Sequence, residues 1–218
     1  MCVECAANTL TAVPEPHCLI CSQQLRGDRC ANRVCSNPDR AIEQVGAVAM
    51  YTEPLDRVLI TVKGNPSSSW TVILGRFVVG WLRAHSRPEN VDLILANPTF
   101  RPGHLGGGHT EAVLERARRA DLSHEYPFSP PDSPPLIKTA DTPKSKAGNF
   151  EAKLSAARAL GAVLALPQGE APIRGKRIIV YDDILTTGAQ LDVIARYLKK
   201  HGAASVSGLV VARVPWRS

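Results

Sequence analysis

The sequence predicts an α/β fold with a mostly parallel sheet, preceded by a small cysteine-rich module, and three observations carry that expectation. From residue 45 onward, short apolar runs suited to buried strands alternate with segments of helical periodicity, the pattern of a parallel sheet covered by helices. All six cysteines fall within the first 35 residues. One strand-like run, Ile178 to Tyr181, leads directly into two acids, two threonines and a glycine.

The chain has 218 residues, 44% hydrophobic and 21% charged, which suits one medium domain and an appendage and excludes a disordered chain. The expected division is a module over 1–40 and an α/β domain over 41–218. No apolar run approaches the roughly 20 residues of a membrane span. Met1-Cys2-Val3-Glu4-Cys5 lacks the basic start and apolar stretch of a secretory signal, so the cytoplasm is the expected compartment. Lys and Arg number 26 against 20 Asp and Glu, and most of the excess lies in 171–218, which holds eight basic and three acidic residues. That bias fits an anionic ligand; a solvated face on the last helix explains Lys199 and Lys200 equally well.

The cysteines occur as Cys2-x-x-Cys5, Cys18-x-x-Cys21, Cys30 and Cys35. In a reducing compartment such pairs bind zinc more readily than they form disulfides, because a short Cys-x-x-Cys turn aims two sulfurs at one point. The surrounding segment has few large apolar groups, so metal would supply stability that a core cannot. Six ligands do not divide into fours. Cys18, Cys21, Cys30 and Cys35 form the preferred set, and Cys2, Cys5, Cys18 and Cys21 the alternative. Either set fills all four positions of the ion, which makes its role structural or partner-binding rather than catalytic. His17 reads as an ordinary loop residue.

In the body, Val45 to Tyr51 reads as a strand and Leu55 to Lys63 as a short helix or turn. Ser69 is the expected cap of a helix carrying Trp70, Ile73, Leu74, Phe77, Val78 and Trp81 on one face, where both tryptophans suit a core better than base stacking. Val91 to Ala96 is a compact apolar run suited to a buried parallel strand, ending at Asn97-Pro98. Gly106-Gly107-Gly108 and a helix from His109 to Ala120 follow. Residues 126–148 carry Pro127, Pro130, Pro131, Pro134, Pro135 and Pro143 and read as a linker or flap without regular structure. Glu151 to Leu166 reads as a helix, Ile178 to Tyr181 as a strand, Gly188 to His201 as an amphipathic helix, and Ser205 to Val214 as the last strand.

A parallel strand ending in a loop that feeds a helix delivers its last residues to the carboxyl edge of the sheet, where α/β proteins bind ligands. Asp182 and Asp183 fall at that edge, and paired carboxylates accept hydrogen bonds from two adjacent hydroxyls, such as those of a ribose. Thr186, Thr187 and Gly188 then offer two hydroxyls and a turn that brings backbone N–H groups to an oxyanion at a helix N-terminus. An acid pair as a loop cap followed by ordinary turn chemistry would explain the same letters; strand, acids, Thr-Thr-Gly and amphipathic helix in sequence favour the ligand.

The run from Val180 to Gln190 resembles the 5-phosphoribosyl pyrophosphate signature of type I phosphoribosyltransferases. The wider chain resembles the ComF family, bacterial proteins with a cysteine finger ahead of that fold, associated with DNA uptake. The cysteine pairs, Val62-Lys63-Gly64, Leu160-Gly161-Ala162-Val163 and the Tyr181-to-Gln190 loop occur in that family's order. There are departures. Another Cys pair commonly opens the family, so Cys2 and Cys5 stand as half of a first finger or mark a misplaced start. Gly106-Gly107-Gly108-His109-Thr110 replaces an Arg-Gly-Phe-Asn-Gln-like stretch. Gln190 stands where a hydroxyl residue helps hold the 5-phosphate, and Lys138 where the family has Arg.

The resemblance implies phosphoribosyl pyrophosphate, or a related sugar phosphate, bound with Mg²⁺. In it Asp182 and Asp183 hold the ribose diol, Thr186, Thr187, Gly188, Ala189 and Gln190 grip the 5-phosphate, and Lys63 or Lys138 neutralises departing pyrophosphate. Members that act on 6-oxopurines carry an Asp at the position of Thr186, which argues against that substrate class. Pentosyl transfer is the implied reaction if the chain is catalytic. A non-catalytic module docking through its zinc finger on a DNA helicase, or a direct nucleic-acid binder, remains open beside it; aromatic residues at 5% offer few stacking platforms for the latter.

Overall fold

The computed structural model of the chain describes residues 3–25, 27–103, 107–142 and 150–215, without the side chains of 3, 5 and 6. Helix α1 (Val3–Thr9) and the single turn α2 (Arg33–Ser36) belong to the cysteine-bearing segment. Then follow β1 (Val45–Met50), α3 (Leu55–Gly64), α4 (Trp70–His85), β2 (Leu93–Ala96), α5 (His109–Ala120) and β3 (Ile137–Lys138). The chain continues through α6 (Phe150–Ala162), β4 (Leu164–Ala165), β5 (Arg177–Leu185), α7 (Ala189–Lys200) and β6 (Ser205–Arg213).

Four strands form a parallel sheet in the order β1-β6-β5-β2, as the alternating apolar runs predict. Successive side chains of a strand face opposite ways, and β5 divides accordingly. Ile178 and Val180 enter one core, with α6, α7 and the cysteine segment. Ile179 and Tyr181 enter the other, with α3, α4 and α5. Each fully buried Val, Leu or Ile in these layers contributes about 1.5–3 kcal/mol. Cys18, Cys21, Val34 and Cys35 pack in the same core as Val45 and Val180, so the cysteine segment and the sheet share buried surface.

The two cores explain where a site forms. The helix after β2 crosses to one face of the sheet and the helix after β5 to the other, although the two strands are neighbours. Their loops therefore diverge and leave a crevice at the carboxyl ends, the topological switch point of an open α/β sheet.

Several local expectations are corrected. The helix expected to reach Leu166 ends at Ala162, because Val163 O accepts Thr139 N–H at 2.8 Å and Leu164–Ala165 pairs antiparallel with Ile137–Lys138. The Pro-rich stretch thus contains a short strand, and Pro127 and Ser129 hydrogen-bond the backbone of Ile94 on β2; residues 143–148 of that stretch lie outside the described residues. Ser69 makes no side-chain cap; Ser68 Oγ accepts Trp70 N–H instead, at 3.3 Å. Trp81 and Trp70 pack against the α3–α5 core, and the Trp81 ring stacks on His85 with centroids 4.6 Å apart. Among the described residues no helix is long and apolar enough to cross a membrane.

Candidate functional site

Three chain segments bring charge to the crevice between β2 and β5. Asp182 and Asp183 are buried near the end of β5. Asp182 Oδ2 accepts from Asn97 Nδ2 at 3.0 Å, and its Oδ1 from Asp183 N–H at 2.9 Å. Asp183 Oδ2 lies 3.0 Å from Lys63 Nζ, in the last turn of α3, and 3.1 Å from His109 Nε2, at the start of α5. Neither contact is aligned as a hydrogen bond, so this buried oxygen keeps acceptor capacity. Burial, and then the neighbouring Asp183 carboxylate, push Asp182 up to about 7. Burial alone would raise Asp183 too, but His109 and Lys63 outweigh it and hold that carboxyl below its ordinary range. Lys63 is held above its usual value, because attraction to Asp183 exceeds the burial that opposes it. The result is one firmly ionised acid beside one that protonates near neutrality.

The segment after β2 is tied down by Glu111. Its carboxylate accepts Thr99 N–H at 2.7 Å and the Thr99 hydroxyl at 2.8 Å, while the Thr110 hydroxyl lies 2.8 Å from Asn97 O. A Cβ at Gly108 would overlap the Thr99 side chain, so this loop can approach the start of α5 only with glycine there. The fastening sets Asn97 toward Asp182 and His109 toward Asp183.

The segment after β5 is built from backbone. Gly188 caps α7 with φ +84°, a left-handed conformation that favours glycine. The carbonyl of Leu185 accepts Val214 N–H at 2.9 Å, and the carbonyls of Leu185, Thr186 and Thr187 are held from the side of the cysteine segment by Arg213 and Asn32. In a planar trans peptide the N–H points opposite to the carbonyl. The N–H groups of Thr186, Thr187 and Gly188 are therefore turned away from that segment, and none has an acceptor among the described residues. Three such amides at a helix N-terminus make a concavity for an anion.

The second centre is the cysteine cluster. The sulfurs of Cys18, Cys21, Cys30 and Cys35 all lie within 4.8 Å of one another, and Cys21 and Cys30 are 3.7 Å apart. Tetrahedral zinc with Zn–S near 2.3 Å sets its sulfurs about 3.8 Å apart, so the four can hold such an ion. A hydrogen bond from Cys35, with added help from Arg213, favours thiolate at Cys21 and pushes it down to about 4; the partner thiol of Cys35 is pushed up by that same bond. Burial pushes Cys30 up to about 11. Thiols held up in this way at Cys30 and Cys35 are what a divalent cation would bring to the thiolate form.

No protein-family model and no curated protein matches the chain. Among solved structures it is similar to the allosteric regulatory enzyme of purine biosynthesis, at 16% identity and TM-score 0.38, over 64% of this chain and 25% of that one. It is also similar to a purine phosphoribosyltransferase from Pyrococcus horikoshii Ot3, at 17% identity and TM-score 0.36, over 69% of this chain and 92% of that one. The chain thus spans about a quarter of the length of the first structure.

Of the residues singled out from sequence, the structure brings Lys63, Asp182 and Asp183 together and places Thr186, Thr187, Gly188, Ala189 and Gln190 at the adjoining turn and first helical turn. Among the described residues no contact joins Lys138 to them: its ammonium lies 3.7 Å from Asp141 Oδ1, on the short strand that pairs with β4. Cys2 and the side chain of Cys5 lie outside the described residues. Asn97 and His109 are members of the cluster that the sequence reading left without a role. The strand end at Asn97-Pro98 and the helix start after the glycines were the available signals.

Proposed function

We propose that the chain binds 5-phosphoribosyl pyrophosphate, or a closely related sugar phosphate, in the crevice between β2 and β5 and transfers its phosphoribosyl group. The observation that carries this reading is the run 182–188, where two buried carboxylates are followed by three consecutive amides without acceptors. A pentose with a vicinal diol at one end and a phosphate at the other matches that spacing. In this reading Asp182 and Asp183 take the diol, and the amides of Thr186 to Gly188 take the 5-phosphate.

Mg²⁺ fits the acid pair, since Asp183 Oδ2 retains acceptor capacity and Asp182, raised by burial and by the neighbouring Asp183 carboxylate, would be stabilised in its charged form by a cation. Bound there, the ion would supply charge neutralisation for the pyrophosphate. Lys63 and His109 orient Asp183, and Lys63 stands where departing charge develops. In the transfer, an acceptor lone pair forms the new bond to C1 of the sugar while the C1–O bond to pyrophosphate breaks, the leaving group keeping the electron pair.

Calorimetry with phosphoribosyl pyrophosphate and Mg²⁺ tests binding. Heat in the wild type that disappears in Asp182→Asn and Asp183→Asn is the expected outcome, and no heat in any of the three sinks the reading. Pyrophosphate release across a panel of nitrogen nucleophiles then separates transfer from binding alone.

A further inference from the structure

Arg213 and Asn32, which hold the turn after β5 from behind, are both fully buried at 0% exposure. Burying a guanidinium is costly unless its donors are satisfied. Arg213, the last residue of β6, donates from Nε to Cys21 O at 2.9 Å. Its Nη1 reaches Leu185 O at 3.0 Å, Thr186 O at 2.6 Å and Val214 O at 2.9 Å, and Nη2 lies 4.0 Å from Cys21 Sγ. Asn32 lies in the arc between Cys30 and Cys35. Its Oδ1 caps α2 by accepting Val34 N–H at 3.0 Å, while its Nδ2 donates to Thr187 O at 3.0 Å.

Between them the two side chains hold three successive carbonyls, Leu185 and Thr186 by Arg213 and Thr187 by Asn32, and they come from opposite halves of the cysteine cluster. One leaves from beside Cys21 and the other from between Cys30 and Cys35. Fixing those carbonyls fixes the three peptide planes, and so the direction of the three amides on the far side. An ion at the sulfurs would draw both halves of the cluster together, and the loop would inherit that rigidity.

We propose that Arg213 and Asn32 are positioning residues that couple the four-thiolate site to the anion-binding turn, so that metal occupancy sets the affinity of the turn for a phosphorylated sugar. The affinity half of this proposal rests on the phosphoribosyl reading; the rigidity half does not. By linkage, the sugar phosphate must tighten metal binding by the same factor as metal tightens sugar phosphate.

The experiment uses the full chain, zinc-loaded and zinc-stripped, with Asn32→Ser as the main variant. Serine retains a capping oxygen for α2 but is too short to reach Thr187 O. Arg213→Lys, which keeps charge and loses the fork, is the second variant. Two readouts are taken: amide order parameters of Thr186, Thr187 and Gly188, and the Kd for ribose 5-phosphate by calorimetry. In the zinc-loaded wild type, order parameters near about 0.85 are expected, falling below about 0.6 on stripping, with Kd weakened at least about ten-fold. Asn32→Ser should reproduce much of both changes while still holding one zinc per chain. If stripped protein with an intact sheet keeps a rigid turn and full affinity, the proposal is overturned. The same holds if zinc-loaded Asn32→Ser matches the wild type in both readouts, and that arm decides the matter should stripping unfold the chain. A wild type that binds no ribose 5-phosphate removes the phosphoribosyl reading alone, and the order parameters then judge the coupling.

Discussion

The two walls of the crevice are each a strand, a glycine-bearing loop and a helix, yet they are built in opposite ways. The wall after β5 offers backbone: Gly188 in a left-handed turn and three amides set by carbonyls that Arg213 and Asn32 hold. The wall after β2 offers side chains, Asn97 and His109, set by the carboxylate of Glu111. Backbone amides suit a fixed anion, because their direction is given by peptide planes and needs no ordering of a side chain when the ligand arrives. Side chains suit a group whose charge changes, because they can move and exchange protons. The comparison says that the β5 wall should resist side-chain substitution and the β2 wall should not.

The largest effect is expected from Glu111→Ala. It leaves the Thr99 N–H without its acceptor, costing about 1–3 kcal/mol, and frees Asn97 and His109 together. Thermal unfolding should show the loss, and a variant as stable as the wild type would mean that Glu111 does not fasten this wall. His109→Ala comes next, with an expected weakening of phosphoribosyl pyrophosphate binding of about ten-fold in calorimetry as Asp183 loses one of the two side chains that face its Oδ2.

The pH dependence of stability separates the two acids. Asp182 is held at about 7 when folded against 3.8 as its reference value, so the folded chain binds that proton more tightly. The stability it contributes is full below about pH 4 and is lost as pH rises toward 7. Asp182→Asn should therefore raise the melting temperature of ligand-free protein by a few degrees at pH 8 and hardly at all at pH 4. Asp183 has the opposite sign, since its folded value is depressed: its contribution is present above its unfolded value and falls away as acid protonates it. A pH-independent gain from Asp182→Asn would contradict the placement of that carboxyl in a desolvated pair. The smallest effect is expected from Thr186→Ala. Thr186 is exposed and in the proposed reading offers only its amide, so binding should change by less than about three-fold; a ten-fold loss would show that its hydroxyl carries the contact.

These differences also explain what the sequence disclosed. The β5 wall was legible because strand, acids, turn and helix are contiguous from Ile178 to Lys200, and local pattern reports local structure. The parallel sheet was legible for the same reason. Of the partners of Asp183, Lys63 entered through the family resemblance, while His109 looked like the start of an ordinary helix. Nothing local links Asn32 to Thr187, 155 residues away, or Arg213 to Cys21, 192 residues away. The surroundings of Lys138 were not legible, because the pairing of Ile137–Lys138 with Leu164–Ala165 depends on where α6 stops, and an alanine-rich run does not announce its own end.

The sheet order places β6, made after every other strand, between β1, made first, and β5. A growing chain therefore leaves the ribosome with β1 unable to find its neighbour and the turn after β5 unclamped until residue 213 follows. Throughout synthesis the cysteines are already present and able to collect metal. The last strand then closes the sheet and the turn after β5 in one event, so a nascent chain interrupted before Arg213 would have its four cysteines in place without a finished crevice.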